Sequence, residues 1–212
     1  MHIPDGILPT VVSLAGYATT AAATWHSIRK IEQRENPQEG IPKASLLTAA
    51  FFVSSWIHIP IPPTSVHLVL NGLMGVVLGH YAFPAILIGL FFQAVMFQHG
   101  GLTTLGVNAT AMGLPALLSY YLFQLRKLIG PENRAWTGTL AFLGGALGIG
   151  LSALITSVIL VTTIPGNIDV ETERAGIYAL TLAHVPLMAL EGAFTASVAL
   201  FLQRVRPELL ES

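Results

Sequence analysis

Residues 135–162 read AWTGTLAFLGGALGIGLSALITSVILVT. No charge interrupts this run between Arg134 and Asp169, and a bilayer core of about 30 Å needs only about 20 apolar residues in a helix. A membrane-spanning helix follows. Working outward by where charges stop and resume, six further spans appear, at Leu8–Ile28, Ala44–Ile57, Ser65–Tyr81, Phe83–Phe97, Asn108–Leu125 and Ala175–Leu202. The expected fold is an all-α integral membrane protein with seven transmembrane helices, forming one domain over residues 1–212. Pro60, Pro62, Pro63 and Pro84 interrupt helical continuity around the third span.

Composition agrees with that class. Of the 212 residues 53% are hydrophobic and 10% charged, and mean hydropathy is +0.67. A soluble domain carries about 25% charged residues, so a soluble enzyme is excluded. The net charge of −1 gives no electrostatic handle for nucleic acid. Cysteine is absent, which removes zinc–thiolate sites, iron–sulfur clusters, disulfides and thiol chemistry. Any metal must be held by nitrogen and oxygen.

Positive residues stay on the cytoplasmic side of a membrane. Arg29, Lys30, Arg34 and Lys43 lie between the first two spans, Arg126, Lys127 and Arg134 between the fifth and sixth, and Arg204 and Arg206 after the last. An outside N-terminus with a cytoplasmic C-terminus places all nine inside and leaves only Arg174 outside. A cleaved signal peptide is disfavoured because no Lys or Arg precedes the first apolar stretch, whereas Arg29 and Lys30 follow it. No repeat, low-complexity tract or Gly-x-x-x-x-Gly-Lys phosphate loop occurs.

That topology places His2, His58, His67, His99 and His184 on the outer side, and only His26 and His80 near the inner face. Ionisable residues are costly in membranes and mark function by default, although a lone interfacial histidine is more often simply hydrogen-bonded. His2 stands apart. With the α-amino nitrogen of Met1, the Met1–His2 peptide nitrogen and imidazole Nδ1 it offers three nitrogens in one plane, closing a five-membered and a six-membered chelate ring. Using the peptide nitrogen requires displacing its proton. Metals late in the divalent affinity order, Ni²⁺ and Cu²⁺, do this in a square-planar field, whereas Zn²⁺ prefers a tetrahedron.

The fourth donor is expected to be His67, one turn into the third span at the depth where the N-terminus must lie. Pro4-Asp5-Gly6 has turn chemistry that folds the first residues back over the bundle mouth. Asn71, one helical turn below His67, Asn108 and His99 are candidates to support the ligands. The His99-Gly100-Gly101 loop reads equally as a lid or as a tight outer turn. Glu191, a lone carboxylate in the last span, reads first as structural glue paired with a buried donor such as Asn108 or a histidine, and secondarily as a direct participant in transport. Ala15, Ala18 and Ala22 on the first span and Gly144 and Gly148 on the sixth read mainly as packing contacts within the bundle, and secondarily as a docking surface.

Met1-His2-Ile3-Pro4-Asp5-Gly6, the run Ser65-Val66-His67-Leu68-Val69-Leu70-Asn71-Gly72-Leu73-Met74-Gly75, the stretch Phe97-Gln98-His99-Gly100-Gly101-Leu102-Thr103-Thr104-Leu105-Gly106-Val107-Asn108, and His184-Val185-Pro186-Leu187 with Glu191-Gly192 together resemble the CbiM/NikM family. Four motifs in order cover nearly the whole chain. The resemblance, strongest to the NikM branch, implies the substrate-capture (S) component of an energy-coupling factor (ECF) transporter for nickel or cobalt, in a prokaryotic inner or plasma membrane. It implies a seven-helix bundle binding metal through the amino terminus, His2 and His67. It also implies partners: a transmembrane coupling (T) subunit, cytoplasmic ATPase subunits and a small auxiliary membrane subunit, here a separate polypeptide. No prosthetic cofactor is expected; Ni²⁺, or alternatively Co²⁺ for cobalamin synthesis, is the substrate.

The reading is therefore a transport component rather than an enzyme. A rival from another class is a membrane haem or redox protein with His67 and His184 as axial ligands. An intramembrane metalloprotease would need His-Glu-x-x-His, which is missing.

Overall fold

The computed structural model of the chain describes residues 2–61, 64–130, 132–166 and 169–211. Helices α1 (Thr10–Glu32) and α2 (Ile41–Ser54) are followed by a two-stranded antiparallel hairpin, β1 (His58–Ile61) and β2 (Thr64–His67), in which His58 faces His67 across the ladder. Then come α3 (Asn71–Leu78), α4 (Ala82–Phe97), α5 (Leu105–Gln124), the single turn α6 (Arg126–Ile129), α7 (Arg134–Thr162) and α8 (Val170–Val205). Asn133 caps α7 by accepting from the backbone of Ala135 and Trp136. Asp169 caps α8 by accepting from Glu171 and Thr172, in both cases satisfying donors that have no partner inside the helix.

Among the described residues, three stretches are long and apolar enough to cross a membrane: Asn71–Phe97, Arg134–Thr162 and Val170–Val205. The other expected spans correspond to helices, and the third needs correction. It is no single helix from Ser65: a strand ends at His67, Leu70 takes a left-handed conformation (φ 59°), and α3 runs for only eight residues, about 12 Å. Gly79, also at positive φ (59°), then breaks the path. Segment 71–97 leaves and returns to the same end, because His67 before it and His99 after it come within 4.9 Å, centroid to centroid.

The core lies where α3, α4, α5, α7 and α8 converge, with Met74, Leu78, Ile86, Leu90, Met112, Ile149 and Leu187 fully buried. Gly148 supports the expected close approach, since a Cβ there would lie 2.5 Å from Gly72 Cα. The alanine ridge of α1 does not pack inward. Ala15, Ala18 and Ala22 are exposed while Gly16, Thr20 and Ser27 form the buried face, because Gly16 alone is small enough to meet the backbone of Val107.

At the end of the bundle away from the hairpin, the basic connections and the C-terminal tail meet. Lys43 Nζ donates to Leu209 O (2.8 Å) and Arg126 Nη2 to Leu210 O (2.8 Å), so the side chain of Leu210 is held in the core.

Candidate metal centre

The first residues are stitched to α5 and to the loop before it. Asn108 Oδ1 accepts from Ile3 N (2.9 Å), and Asn108 Nδ2 donates to Ile3 O (3.0 Å), which also accepts from Thr104 Oγ1 (2.6 Å). The Asp5 carboxylate accepts from the backbone of Leu102 and Thr103 and from Thr103 Oγ1, and these bonds hold its pKa below the usual carboxylate range. The Ile3 side chain is buried. The expected fold-back of the N-terminus is present. It requires the two glycines after His99: Gly100 sits at φ +92°, and a Cβ on Gly101 would lie 2.5 Å from Asp5 N. Loop 99–104 is thus a tight turn wrapped on the N-terminal segment.

This docking puts His2 beside His67 and His99. Ring centroids are 5.1 Å apart for His2 and His67, and 4.1 Å for His2 and His99. One ligand nitrogen from each of the three lies within 4.8 Å of the others. Two nitrogens on opposite sides of one transition-metal ion are about 4 Å apart, so small ring movements suffice to bring donors onto a shared ion.

Hydrogen bonds decide which nitrogens face that space. Gln93, buried in α4, donates its amide to the carbonyls of Phe51 and Phe52, which turns Oε1 toward His2 as an acceptor. His2 Nε2–H donates to it at 2.9 Å, leaving Nδ1 with its lone pair. His67 is the mirror case: Nδ1–H donates to Leu68 O (2.9 Å) and Nε2 is left bare. Both His2 Nδ1 and His67 Nε2 are buried without a partner among the described residues. Buried polar atoms are ordinarily satisfied, so two unpartnered lone pairs in one cluster of histidines fit binding to a Lewis acid. Burial, the largest cause, pulls His67 down to about 3 and holds His2 and His99 below the ordinary imidazole range. The rings stay neutral, the form that binds metal.

Each candidate has a definite place. His67 lies at the end of β2 rather than one turn into a helix. Met1 lies outside the described residues. Asn71 does not orient His67: its amide donates to Met112 O, Gly148 O and Ser152 Oγ, since it opens α3 in the core three residues beyond the extended turn. Glu191 takes neither Asn108 nor a histidine. Its carboxylate accepts from Val69 N (2.5 Å) and Leu70 N (3.0 Å), two donors freed where strand gives way to helix. It braces the connection that carries His67. His184 bonds within its own helix to Leu180 O. Gln93 escaped sequence reasoning, although a glutamine inside an apolar helix is itself the kind of costly residue that flags a site.

Residues 2–209 match the family described as CbiM, cobalt uptake substrate-specific transmembrane region. A putative metal transport protein of Haemophilus influenzae is 33% identical over 99% of this chain and 97% of its own length. The fused nickel transport protein NikMN of Rhodobacter capsulatus is 33% identical over 99% of this chain, which corresponds to 64% of that longer protein. The cobalt transport protein CbiM of Sorangium cellulosum is 29% identical over the whole chain. A crystal structure described as a truncated transition metal transporter shares the fold, with a TM-score of 0.80 over 96% of this chain and 99% of that one at 24% identity. A family match over nearly every residue, with the fold of a metal transporter around three clustered imidazoles, leads to one conclusion: the chain belongs to the CbiM family of substrate-specific transmembrane regions for metal uptake.

Proposed function

We propose that the protein captures Ni²⁺, with Co²⁺ as the alternative substrate, as the S component of an ATP-driven ECF transporter. Residues 1–212 act as one transmembrane substrate-binding unit in a prokaryotic inner or plasma membrane. The observation that carries the reading is the pair of bare imidazole nitrogens, His2 Nδ1 and His67 Nε2, buried in one cluster without partners among the described residues. Met1 supplies the amino nitrogen, His2 its peptide nitrogen and Nδ1, and His67 Nε2 closes the square. The peptide proton passes to water as the metal binds. A planar four-nitrogen field that includes an ionised amide favours nickel over the earlier cobalt.

The chain crosses seven times with its N-terminus outside. Support comes from charge: the basic connections after α1 and α5 and the basic end of α8 gather around the C-terminal tail at the end opposite the His2–His67–His99 cluster. ATP hydrolysis is left to cytoplasmic ATPase subunits coupled through a T subunit, with a small auxiliary membrane subunit. The outward Ala15, Ala18 and Ala22 leave room for another helix to approach closely, and the printed names of the fused NikMN and CbiMQ relatives agree with multi-component assembly.

The test is calorimetric Ni²⁺ titration of protein acetylated at the Met1 α-amino group, which removes that donor without adding a further peptide nitrogen to the chelate. Removing the amino group from the chelate is expected to weaken binding by about two orders of magnitude or more. Unaltered affinity would refute the planar site.

A further inference from the structure

His58 is not needed for the square-planar site, yet the hairpin register sets it directly opposite His67. Its ring lies 6.0 Å from that of His67, and the His67 ring lies 4.9 Å from that of His99. Exposure is graded: His58 is exposed, His99 half-buried and His67 buried. Next to them opens a cavity of about 420 Å³ lined by Ser55, Trp56, His58, Phe97, Gln98 and His99. That volume admits an ion with its hydration shell, and its wall carries the two outer imidazoles on one side of the buried pair.

We propose that His58 and His99 form a loading site for a hydrated divalent transition-metal ion, which passes from there to His67 and His2. The chemistry gives such a station a purpose. A hydrated ion cannot reach buried nitrogens without shedding water, and each neutral imidazole that binds replaces one water without moving a proton. His58, at the open side, takes the first position. His99, whose ligand nitrogen is within 4.8 Å of those of both His2 and His67, takes the second and presents the partly stripped ion to the planar set. Protons leave only at the Met1–His2 chelate, one from the α-ammonium group and one from the peptide nitrogen, and the cavity supplies the water that accepts them. Trp56 and Phe97, whose rings meet edge to face at 4.6 Å, wall the cavity on its apolar side and confine the ion to the histidine side.

This inference rests on the planar site proposed above, so its test separates rates from equilibrium. Ni²⁺ association and dissociation are followed by rapid mixing, with wild type, His58→Ala, His99→Ala and the double variant in the same detergent. A loading site lies on the path and not in the bound state. His58→Ala, which removes a ring outside the three-histidine cluster, is therefore expected to bind several-fold more slowly and to release more slowly by the same factor, with Kd within about twofold, and the double variant to associate at least tenfold more slowly than wild type. His58→Glu, which restores a donor at the open side, is expected to recover most of the rate, which a purely structural role for His58 would not produce. Unchanged association in the double variant would overturn the proposal. So would a weakened Kd with faster release in His99→Ala, because His99 would then be a resident ligand. Failure of the planar site reads differently, as full affinity in the protein acetylated at the Met1 α-amino group, whatever the rates of the histidine variants.

Discussion

Replacing Asn108 with leucine tests whether a pre-docked N-terminal segment makes the metal site strong. Asn108 is 3% exposed and trades two hydrogen bonds with the backbone of Ile3, at 2.9 and 3.0 Å. Leucine fills a similar volume but strands Ile3 N–H, while Ile3 O keeps the Thr104 hydroxyl. A buried hydrogen bond contributes about 0.5–1.5 kcal/mol net, and a stranded buried donor costs about 1–3 kcal/mol. Docking therefore weakens by about 2 kcal/mol. Apparent affinity falls with the fraction of protein already in the binding-competent form, and about 2 kcal/mol corresponds to roughly 30-fold. That is a ceiling, because Asp5 still ties the segment to Leu102 and Thr103. Calorimetric Ni²⁺ titration of Asn108→Leu against wild type is expected to show affinity lower by about 5- to 30-fold, with a similar thermal midpoint since the helix packing survives. Affinity within twofold of wild type, in a folded variant, would show that the Asn108–Ile3 bonds do not control the site.

Glu191→Leu leaves two buried backbone donors unpaired and is expected to lower both thermal midpoint and Ni²⁺ affinity, whereas Glu191→Gln, which keeps one acceptor oxygen, should lose less of each; equal losses would contradict the bracing role. Gly148→Ala drives a methyl to within 2.5 Å of Gly72 Cα and should cost about 1–3 kcal/mol, a fall of about 2–10 °C in midpoint. Gly166→Ala, with open space around it, serves as the comparison and should leave the midpoint in place. Burial, with Arg34 adding repulsion, lowers the pKa of Lys43 to about 8. The unfolded chain, with its lysine near 10.5, thus binds more protons between those values, and stability rises with pH across that window. Thermal scans from pH 8 to 10 should show the rise in wild type and lose it in Lys43→Met.

The helices were legible because charge-free apolar runs have one physical solution in a bilayer, and α4, α5, α7 and α8 begin and end within a few residues of where charge and turn chemistry put them. The third span misled. Ser65–Tyr81 is apolar enough to look like one helix, but Pro60, Pro62 and Pro63 just before it favour an extended chain, and the left-handed turn at Leu70 depends on Glu191, 121 residues away. Within the site, His2 and His67 announced themselves through chelate chemistry and depth. Their supports did not, since a partner such as Gln93 is found only by knowing that α4 and the N-terminus meet. Asn71 shows the converse error: helical spacing from His67 meant nothing once the intervening residues were not helical. On α1, alanine spacing identified a small-residue ridge but not its direction, which Gly16 against Val107 decides.

The bond from Glu191 to the Val69 and Leu70 amides has a mechanical consequence. His2 is fastened to α4 through Gln93 and to α5 through Asn108 and Ile3, whereas His67 is tethered to α8 through that carboxylate. The two imidazoles thus belong to different helices, as the two jaws of a clamp belong to different handles. Sliding of packed helices by about 1–2 Å is an ordinary protein motion, and metal–nitrogen bonds of about 2 Å do not survive it. A shear of α8 against α4 and α5 would pull the jaws apart and free the ion while every hydrogen bond that holds the chain start remained intact.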